Sequence, residues 1–483
     1  MVEPPKKMMC SKKDVRSQAL AMPSHIRHAI FDQIKQPVVF TGYILNEDHS
    51  NNHWECMKWK EEDWEKLFGQ EKLTLRVNKV VDCERLSAPQ WEGNCMKALM
   101  TYSEIREWAK NQDGKTLNKC KTTCGKEIHS QDNWIYFDYY YMKDLINMEK
   151  IDKAIEWSKF GFPERGAKDS TIWLGTCGAN TPCHIDTYGC NLVAQIKGRK
   201  RWTLFPKEQS TFLYSTRVPY EESSIYSEVG FPSPNISSHP NLMQSTPYVV
   251  TLEPGDVLFV PQHWWHFVEH LDFSISINTW LELPQDEIER TKEAIVMYQI
   301  GSLCQGIDDP LVLRSVVNPN MLNLLELSSE QLLKAVSDQI LSERRERILC
   351  DENVDSQLSD NDYDKSDFIR ELIMKYGNLR IEELMKKWFV DNNIQNVEKM
   401  TYLDYSYITN RPVSKSKSEK NQSSSLKSKC STFEINQNEN IKSDESTLNA
   451  EINKFKILVN SFCDDRVLEV LKNVLTEKLQ QSF

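Results

Sequence analysis

The chain has 483 residues, a formal net charge of −11 and a pI near 5.6. This acidic balance opposes nonspecific binding to nucleic acid, which depends on Lys and Arg neutralising phosphates. The length exceeds that of one compact domain, usually about 100–200 residues, so we expect a large domain with an appendage. No apolar run resembles a membrane helix, and the first residues are charged rather than apolar, unlike a secretory signal. We therefore expect a cytoplasmic protein and leave nuclear presence open.

The predicted elements begin with strands and one helix. Residues 37–42 form a short β-branched run that ends at a glycine, which indicates a strand and turn. Residues 54–68 carry large apolar side chains at helical spacing, and residues 73–77 alternate with the period of a strand. From 134 to about 283 the chain consists of short aromatic and β-branched runs separated by turn residues. Many short strands of this kind predict a β-sandwich or barrel.

The remainder of the chain has the pattern of amphipathic helices and a linker. Residues 411–446 are rich in Ser, Lys and Asn with few large apolar side chains, so we expect a disordered linker there. Beyond it, residues 450–479 regain helical spacing and predict helices that either dock back or meet a partner, including a second copy of the chain. An acidic stretch at 351–367 is expected to link helices predicted at 286–300, 328–341, 367–376 and 380–389.

Histidine and aspartate side chains form the main candidate site. His184 and Asp186 are separated by one residue, and residues i and i+2 of a strand point to the same face. Residues 255–267 predict a turn and strand that supply a second imidazole, from His263 or His266; spacing alone does not decide between them. Two imidazoles and one carboxylate on one face of an ion suit a non-haem Fe(II) oxygenase. A His-x-Asp pair alone is also consistent with a polar strand edge.

A candidate cosubstrate element follows the first iron motif. Residues 191–206 read as a hairpin with Gly198 and Arg199 at its turn, which places Asn191 and Lys200 on one face. A dicarboxylate cosubstrate needs a cation for its distal carboxylate, and Lys200 has the required charge. A solvated lysine beside a turn is the alternative interpretation.

Several ordered motifs together resemble the JmjC (cupin-like) oxygenases, within them the asparaginyl-hydroxylase-like subgroup. The resemblance covers roughly residues 37–285 and rests on the segments 181–186, 195–206, 254–258, 264–266 and 277–280. It implies a double-stranded β-helix (jelly-roll) fold, mainly β with some α structure. The domain scheme is then an N-terminal segment at 1–36, the catalytic domain at 37–285, a helical region at 286–410, the linker at 411–446 and terminal helices at 447–483.

The resemblance also implies the cofactors and the roles of individual residues. Fe(II) would be bound by His184, Asp186 and His266, which selects His266 over His263, and the cosubstrate would be 2-oxoglutarate. Asn191 is assigned by counting back from the turn, because one extra residue follows the iron motif relative to the subgroup. Tyr140 is assigned as a phenol donor, with Tyr136 as the alternative register in the same strand. The implied cosubstrate residues are Lys200, Thr181, Asn191, Asn278 and Tyr140.

The resemblance favours a dioxygenase that hydroxylates a protein side chain. Within the subgroup the chain is similar to members associated with a small heat-shock protein, which implies such a partner and a link to the stress response. The main alternative is a non-catalytic adaptor that keeps the barrel and binds a small heat-shock protein. A histone lysine demethylase is less favoured because no reader domain or Cys/His-rich zinc module is recognisable. An RNA hydroxylase is disfavoured by the acidic charge.

Overall fold

A computed structural model gives the architecture. It describes residues 22–45, 54–81, 85–113, 118–145, 154–218, 225–304, 334–342, 365–409 and 442–481, together with residues 307, 309, 313 and 331.

The described residues include the following strands, most of them short and rich in β-branched and aromatic side chains. They are β1 (Val38–Phe40), β2 (Leu73–Lys79), β3 (Met96–Met100), β4 (Lys119–Lys121), β5 (Glu127–His129), β6 (Asn133–Tyr141), β7 (Thr171–Gly175), β8 (Asn180–Ile185), β9 (Cys190–Lys197), β10 (Lys200–Phe205), β11 (Ser215–Arg217), β12 (Ile225–Ser227), β13 (Tyr248–Leu252), β14 (Val257–Val260), β15 (Trp265–His270), β16 (Ser274–Leu281) and β17 (Ile394–Asn396).

Helices precede the sheets, interrupt them and follow them. They are α1 (Pro23–His28), α2 (Glu61–Phe68), α3 (Tyr102–Lys110), α4 (Asp286–Cys304), α5 (Lys365–Tyr376), α6 (Ile381–Asp391), α7 (Tyr402–Thr409), α8 (Lys442–Phe462) and α9 (Asp465–Gln481), and residues 334–342 are also helical. The predicted helix at 54–68 is shorter than expected. It begins at Glu61 because the Asp63 carboxylate accepts a hydrogen bond from the Lys60 N–H at 3.0 Å, which fixes its first turn.

Two antiparallel sheets face one another as a double-stranded β-helix, which confirms the predicted fold class. The larger sheet has nine strands in the order β17-β1-β14-β9-β16-β7-β6-β2-β3, and the smaller has six in the order β11-β12-β8-β15-β10-β13. Strand β17, from the region predicted as helical, pairs with β1 and completes one edge of the larger sheet.

The predicted hairpin at residues 191–206 is wrong. Strand β9 pairs with β14 and β16 in the larger sheet, whereas β10 pairs with β13 and β15 in the smaller one. The turn between them is therefore a crossing from one sheet to the other. Gly198 at this turn has φ +61°, and a Cβ there would lie 2.0 Å from the carbonyl oxygen of Phe273, so the close approach of the two segments requires glycine.

Most of the described helices pack on one of two cores, while Tyr402 and Tyr405 of α7 are buried against the smaller sheet in another. Ile26 of the N-terminal segment, together with Phe368 of α5 and Trp388 of α6, is buried in the main core beneath the larger sheet. Helices α4, α8 and α9 form a second core through Ile295, Val459 and Leu468.

Parts of two predictions lie outside the described residues. Residues 411–441 of the predicted linker lie outside them, whereas helix α8 begins at Lys442. Most of the acidic stretch at 351–367 also lies outside them. Among the described helices, none combines the length and apolarity needed to cross a membrane.

Candidate metal and cosubstrate site

Two neighbouring strands of the smaller sheet bring three candidate ligands together. His184 on β8 is the direct cross-strand partner of His266 on β15, and Asp186 follows the end of β8. One ligand atom from each of the three lies within 4.8 Å of the other two. The Nε2 atoms of His184 and His266 are 3.4 Å and 3.8 Å from Asp186 Oδ1. The cross-strand register, which the sequence does not give, thus creates the cluster.

Backbone carbonyl groups orient both imidazoles. His184 Nδ1 lies 2.8 Å from the carbonyl oxygen of Pro182, and His266 Nδ1 lies 3.0 Å from that of Trp264. A carbonyl oxygen only accepts hydrogen bonds, so each neutral ring must carry its proton on Nδ1. Both Nε2 atoms then present lone pairs toward Asp186, which is the tautomer that a metal ligand requires.

Burial and mutual charge set the ionisation of the cluster. Burial, together with the charge of the neighbouring His184, lowers the pKa of His266 to about 4, so His266 is neutral. Burial also opposes protonation of His184, but the hydrogen bond and charge of Asp186 outweigh it and raise the His184 pKa. Although burial works against it, the two histidines and Trp280 hold the pKa of Asp186 below its usual range. Asp186 is therefore a carboxylate.

The indole of Trp280 fixes the remaining oxygen of the aspartate. Its Nε1 donates to Asp186 Oδ2 at 3.0 Å, which leaves Oδ1 toward the histidines. Sequence reasoning singled out the segment that contains Trp280 but not this role. His263 lies outside the cluster, with its Nε2 3.9 Å from Glu289. The structure therefore brings together His184, Asp186 and His266.

Lys200 lies in the same cavity of about 430 Å³ as the three candidate ligands. The residue is only 1% exposed, and its Nζ donates to Ser276 Oγ at 2.6 Å. Burial lowers its pKa to about 7, although Asp138 acts in the opposite direction. Among the described residues, no carboxylate lies within ion-pair distance of Nζ. A buried ammonium without a counter-ion is a site for an anion.

Polar side chains from both sheets line this cavity beside Lys200. Asn278 Nδ2 donates to Asn191 Oδ1 at 2.9 Å, while Trp173 Nε1 donates to Asn278 Oδ1 at 2.7 Å, so the two amides are held in one orientation. Thr181 Oγ1 is 3.5 Å from the hydroxyl oxygen of Tyr136. Thr181, Asn191 and Asn278 thus line the same cavity as Lys200 and the three candidate ligands.

The structure places Tyr140 outside the cavity, contrary to the assignment made from the sequence. Its hydroxyl donates to the Asp144 carbonyl oxygen at 3.1 Å on the exposed side, whereas Tyr136 lines the cavity. The reason is an irregularity in β6. The register shifts between Phe137 and Tyr140, and Tyr139 has φ +56°, so the alternation that would place 136 and 140 on one face is broken.

Sequence reasoning missed three cavity residues that have clear physical roles. Ser276 contacts Lys200, Trp280 contacts Asp186, and the Trp202 ring stacks on the His266 ring with centroids 5.7 Å apart. Strand alternation along β16 could have identified Ser276 and Trp280 from the sequence, since both point to the same face as Asn278.

The donor set suits a divalent iron ion. Two imidazole nitrogens from buried strands and one carboxylate oxygen from the residue after β8 approach from one side. Imidazole and carboxylate ligands in a 2:1 ratio with open positions are those of non-haem Fe(II) oxygenases. The remaining cavity surface, with its buried ammonium, suits a dicarboxylate.

Comparisons with known proteins agree with this geometry. A family model described as a cupin-like domain matches residues 26–287, more than half of the chain, and confirms the predicted family resemblance. "HSPB1-associated protein 1" of Bos taurus is 38% identical over 293 residues, 60% of this chain and 57% of that protein. "HSPB1-associated protein 1 homolog" of Danio rerio is 39% identical over 268 residues, which are 55% of this chain and 56% of that protein. "Lysine-specific demethylase 8" of Xenopus tropicalis is 26% identical over 251 residues, which are 51% of this chain and 48% of that protein. The chain spans about half the length of these relatives.

Proposed function

This chain belongs to the cupin-like domain family, and we propose that it is an Fe(II)- and 2-oxoglutarate-dependent dioxygenase that hydroxylates a protein side chain. One observation carries the proposal: a single cavity holds a His–Asp–His cluster and a buried lysine without a carboxylate partner among the described residues. Either feature by itself is compatible with a structural role. Together they match the two charges of the required ligands, a divalent cation and a dicarboxylate.

His184, Asp186 and His266 would hold the metal. Their orientation is set before binding, because two backbone carbonyl groups and the Trp280 indole fix the ligand atoms. When bound, iron and 2-oxoglutarate supply the oxidation, in which O₂ and 2-oxoglutarate give succinate and CO₂ and one oxygen atom enters a substrate C–H bond.

Lys200 would hold the distal carboxylate of the cosubstrate. Because its pKa is about 7 when it has no partner, the approach of a carboxylate stabilises the proton on Nζ and completes an ion pair away from water. The Ser276 hydroxyl positions Nζ, and the phenol of Tyr136 and the hydroxyl of Thr181 lie in the same part of the cavity.

Apolar side chains exclude water between these two ends. Val193, Trp202 and Val268 line the cavity and belong to one buried cluster between the sheets. A site of low polarity strengthens the charge interactions of Lys200 and of the metal ligands, and it keeps solvent from the reacting atoms.

A purified-protein assay tests the catalytic proposal. Wild-type protein with Fe(II), ascorbate and 2-oxoglutarate should form succinate, and His184→Ala should reduce succinate formation to background. His263→Ala is the matched control, since His263 is a neighbouring histidine outside the cluster, and it should retain activity. Equal succinate formation by wild type and His184→Ala would contradict the proposal. So would failure of the wild type to bind both Fe(II) and 2-oxoglutarate in a titration.

We also propose that the chain associates with a small heat-shock protein, as substrate or partner, which would connect it to the stress response. The support is the name of its relatives, several of which are called HSPB1-associated protein 1. A purified small heat-shock protein should bind the full chain in isothermal titration calorimetry. The adaptor alternative keeps this interaction without chemistry. It is not favoured, because a scaffold has no use for a buried, unpaired ammonium beside a metal-ligand cluster.

A further inference from the structure

An outer cleft of about 900 Å³ opens directly onto the metal-ligand cluster. The cleft and the inner cavity share Tyr139, Asp186 and Trp280 as lining residues. The ends of β6, β8 and β16, the segment before β7 and the start of α4 form its walls. A polypeptide that lies in the cleft can therefore place one side chain past Tyr139 and Trp280 at the metal site.

Four basic side chains line this cleft: Lys143, Arg165, Lys168 and Arg290. Within the part of the chain that the structure describes, the first three have no carboxylate within ion-pair distance. Arg290 is paired with Glu287 at 3.4 Å and lies over the ring of Tyr188, 4.7 Å from its centroid. Lys143 and Lys168 are exposed, and Arg165 is half-buried. Lys143 Nζ lies 5.1 Å from the centroid of the Tyr141 ring, a contact that leaves its charge accessible, so all three cations can pair with a bound partner.

Most of the acidic groups of the cleft are already engaged. Asp286 is buried and accepts hydrogen bonds from the Gly189 N–H at 2.9 Å and the Leu283 N–H at 2.8 Å. The Asp169 carboxylate accepts from the Gly166 N–H at 3.0 Å, and Asp186 belongs to the metal-ligand cluster. Glu282 is exposed. The charge that faces outward from the cleft is therefore mainly positive, although the chain as a whole carries −11.

Exposed aromatic rings add a second recognition element. Tyr139 and Tyr141, at the end of β6, are 39% and 41% exposed. Tyr139 stacks on Trp280 with ring centroids 5.9 Å apart, so the entrance to the metal site has an apolar, aromatic edge. Aromatic contact area combined with charged neighbours is typical of polypeptide-binding surfaces.

We propose that this outer cleft binds an acidic polypeptide segment, whose Asp and Glu side chains pair with Lys143, Arg165 and Lys168. The proposal rests on the proposed hydroxylase function, because it names the substrate class of that site. Charge complementarity favours an acidic segment and disfavours a basic one, such as a histone tail. A nucleic acid is disfavoured, because the strongly negative molecule repels a polyphosphate outside these few cations.

Fluorescence anisotropy with labelled peptides tests the substrate class without relying on turnover. Three peptides of one length share the same central Asn and have Glu-rich, Gln-rich or Lys-rich flanks. We expect the Glu-rich peptide to bind most tightly and to weaken as salt is added. The variant with Lys143→Gln, Arg165→Gln and Lys168→Gln should bind it on the order of tenfold more weakly, as expected for the loss of three ion pairs at the protein surface.

A second triple variant controls for net charge. Lys97→Gln, Lys126→Gln and Lys386→Gln remove the same charge from exposed positions outside the cleft. Its affinity for the Glu-rich peptide should stay within about twofold of wild type. An equal loss in both triple variants, or equal binding of the Lys-rich peptide by wild type, overturns the proposal. So does a single-stranded RNA oligonucleotide that binds more tightly than the Glu-rich peptide and depends on the same cations.

Failure of the substrate class and failure of the enzyme proposal are distinguishable in these experiments. The peptide comparison uses wild-type protein and reads binding alone, whereas the enzyme proposal is judged by succinate formation in wild type and His184→Ala. Succinate formation without preference for the Glu-rich peptide would remove only the acidic-segment inference. Preference for that peptide without succinate formation would remove the hydroxylase and leave a peptide-binding cleft.

Discussion

Replacing Lys200 with methionine should stabilise the protein when metal and cosubstrate are absent. Lys200 is almost fully buried, and burial lowers its pKa from 10.5 to about 7. Between these two pH values the folded protein holds fewer protons at this position than the unfolded chain. Stability therefore rises with pH across this window, and the penalty from the buried ammonium is largest below pH 7.

The size of the effect follows from the two pKa values. The gap between 10.5 and about 7 corresponds to a penalty of about 5 kcal/mol at low pH. Methionine has a similar length and no charge, so Lys200→Met removes this penalty. It also removes the hydrogen bond to Ser276, at a cost of about 1 kcal/mol. We expect a net gain of about 4 kcal/mol below pH 7, which falls as the pH rises and becomes a loss of about 1 kcal/mol above pH 10.5, where only the lost hydrogen bond remains.

Urea unfolding of metal-free protein, followed by tryptophan fluorescence over a series of pH values, measures this difference. Lys386→Met is the matched control, because Lys386 is exposed on α6, and it should change the free energy of unfolding little at any pH. The same Lys200→Met protein should bind 2-oxoglutarate at least about thirtyfold more weakly, as expected when one member of a buried charge pair is lost. A stability difference between Lys200→Met and wild type that does not change with pH would refute the burial argument. Unchanged 2-oxoglutarate affinity would refute the role of Lys200.

Three further substitutions test the site and the fold. Tyr136→Phe should weaken 2-oxoglutarate binding in a calorimetric titration by up to about tenfold, whereas Tyr140→Phe should leave it unchanged, since only the phenol of Tyr136 lies in the cavity. The reverse pattern would restore the assignment of Tyr140 made from the sequence. Trp280→Phe removes the hydrogen bond to the aspartate ligand and should lower Mn(II) affinity by about tenfold in an EPR titration; no change would show that this bond does not matter. Gly198→Ala should lower the free energy of unfolding by at least about 3 kcal/mol, compared with about 1 kcal/mol for Gly42→Ala. Both glycines have positive φ, but only at Gly198 would the added Cβ meet backbone atoms. Equal losses in the two variants would exclude the clash.

The parts of the site that the sequence could predict are those fixed by local geometry. His184 and Asp186 lie one residue apart at the end of one strand, so strand alternation alone brings them to the same side. Spacing could not choose between His263 and His266. That choice depends on which residue faces His184 across the sheet, and this register is set by pairing between segments far apart in the chain.

The failed predictions have the same origin. The turn at Gly198 has the local composition of a hairpin, and only the different partners of β9 and β10 reveal that the chain crosses between sheets. Asn191 and Lys200 still reach one cavity, because the two strands face each other across the core rather than side by side. Tyr140 was misplaced because one residue with positive φ, Tyr139, breaks the alternation of β6, and tyrosine gives no sequence signal for such a conformation.

The energetics of the site distinguish the enzyme from the adaptor more sharply than the presence of ligand residues does. In the metal-free protein, Lys200 is a charged group buried at a cost to stability. A binding scaffold could replace Lys200 with methionine and become more stable, so nothing in folding explains a lysine there. Binding of a dicarboxylate at Lys200 would offset this cost, and a cation bound by His184, Asp186 and His266 would stabilise the folded protein further. The two ligands should therefore stabilise the protein together, and Lys200→Met should lose the contribution of 2-oxoglutarate while keeping that of the metal.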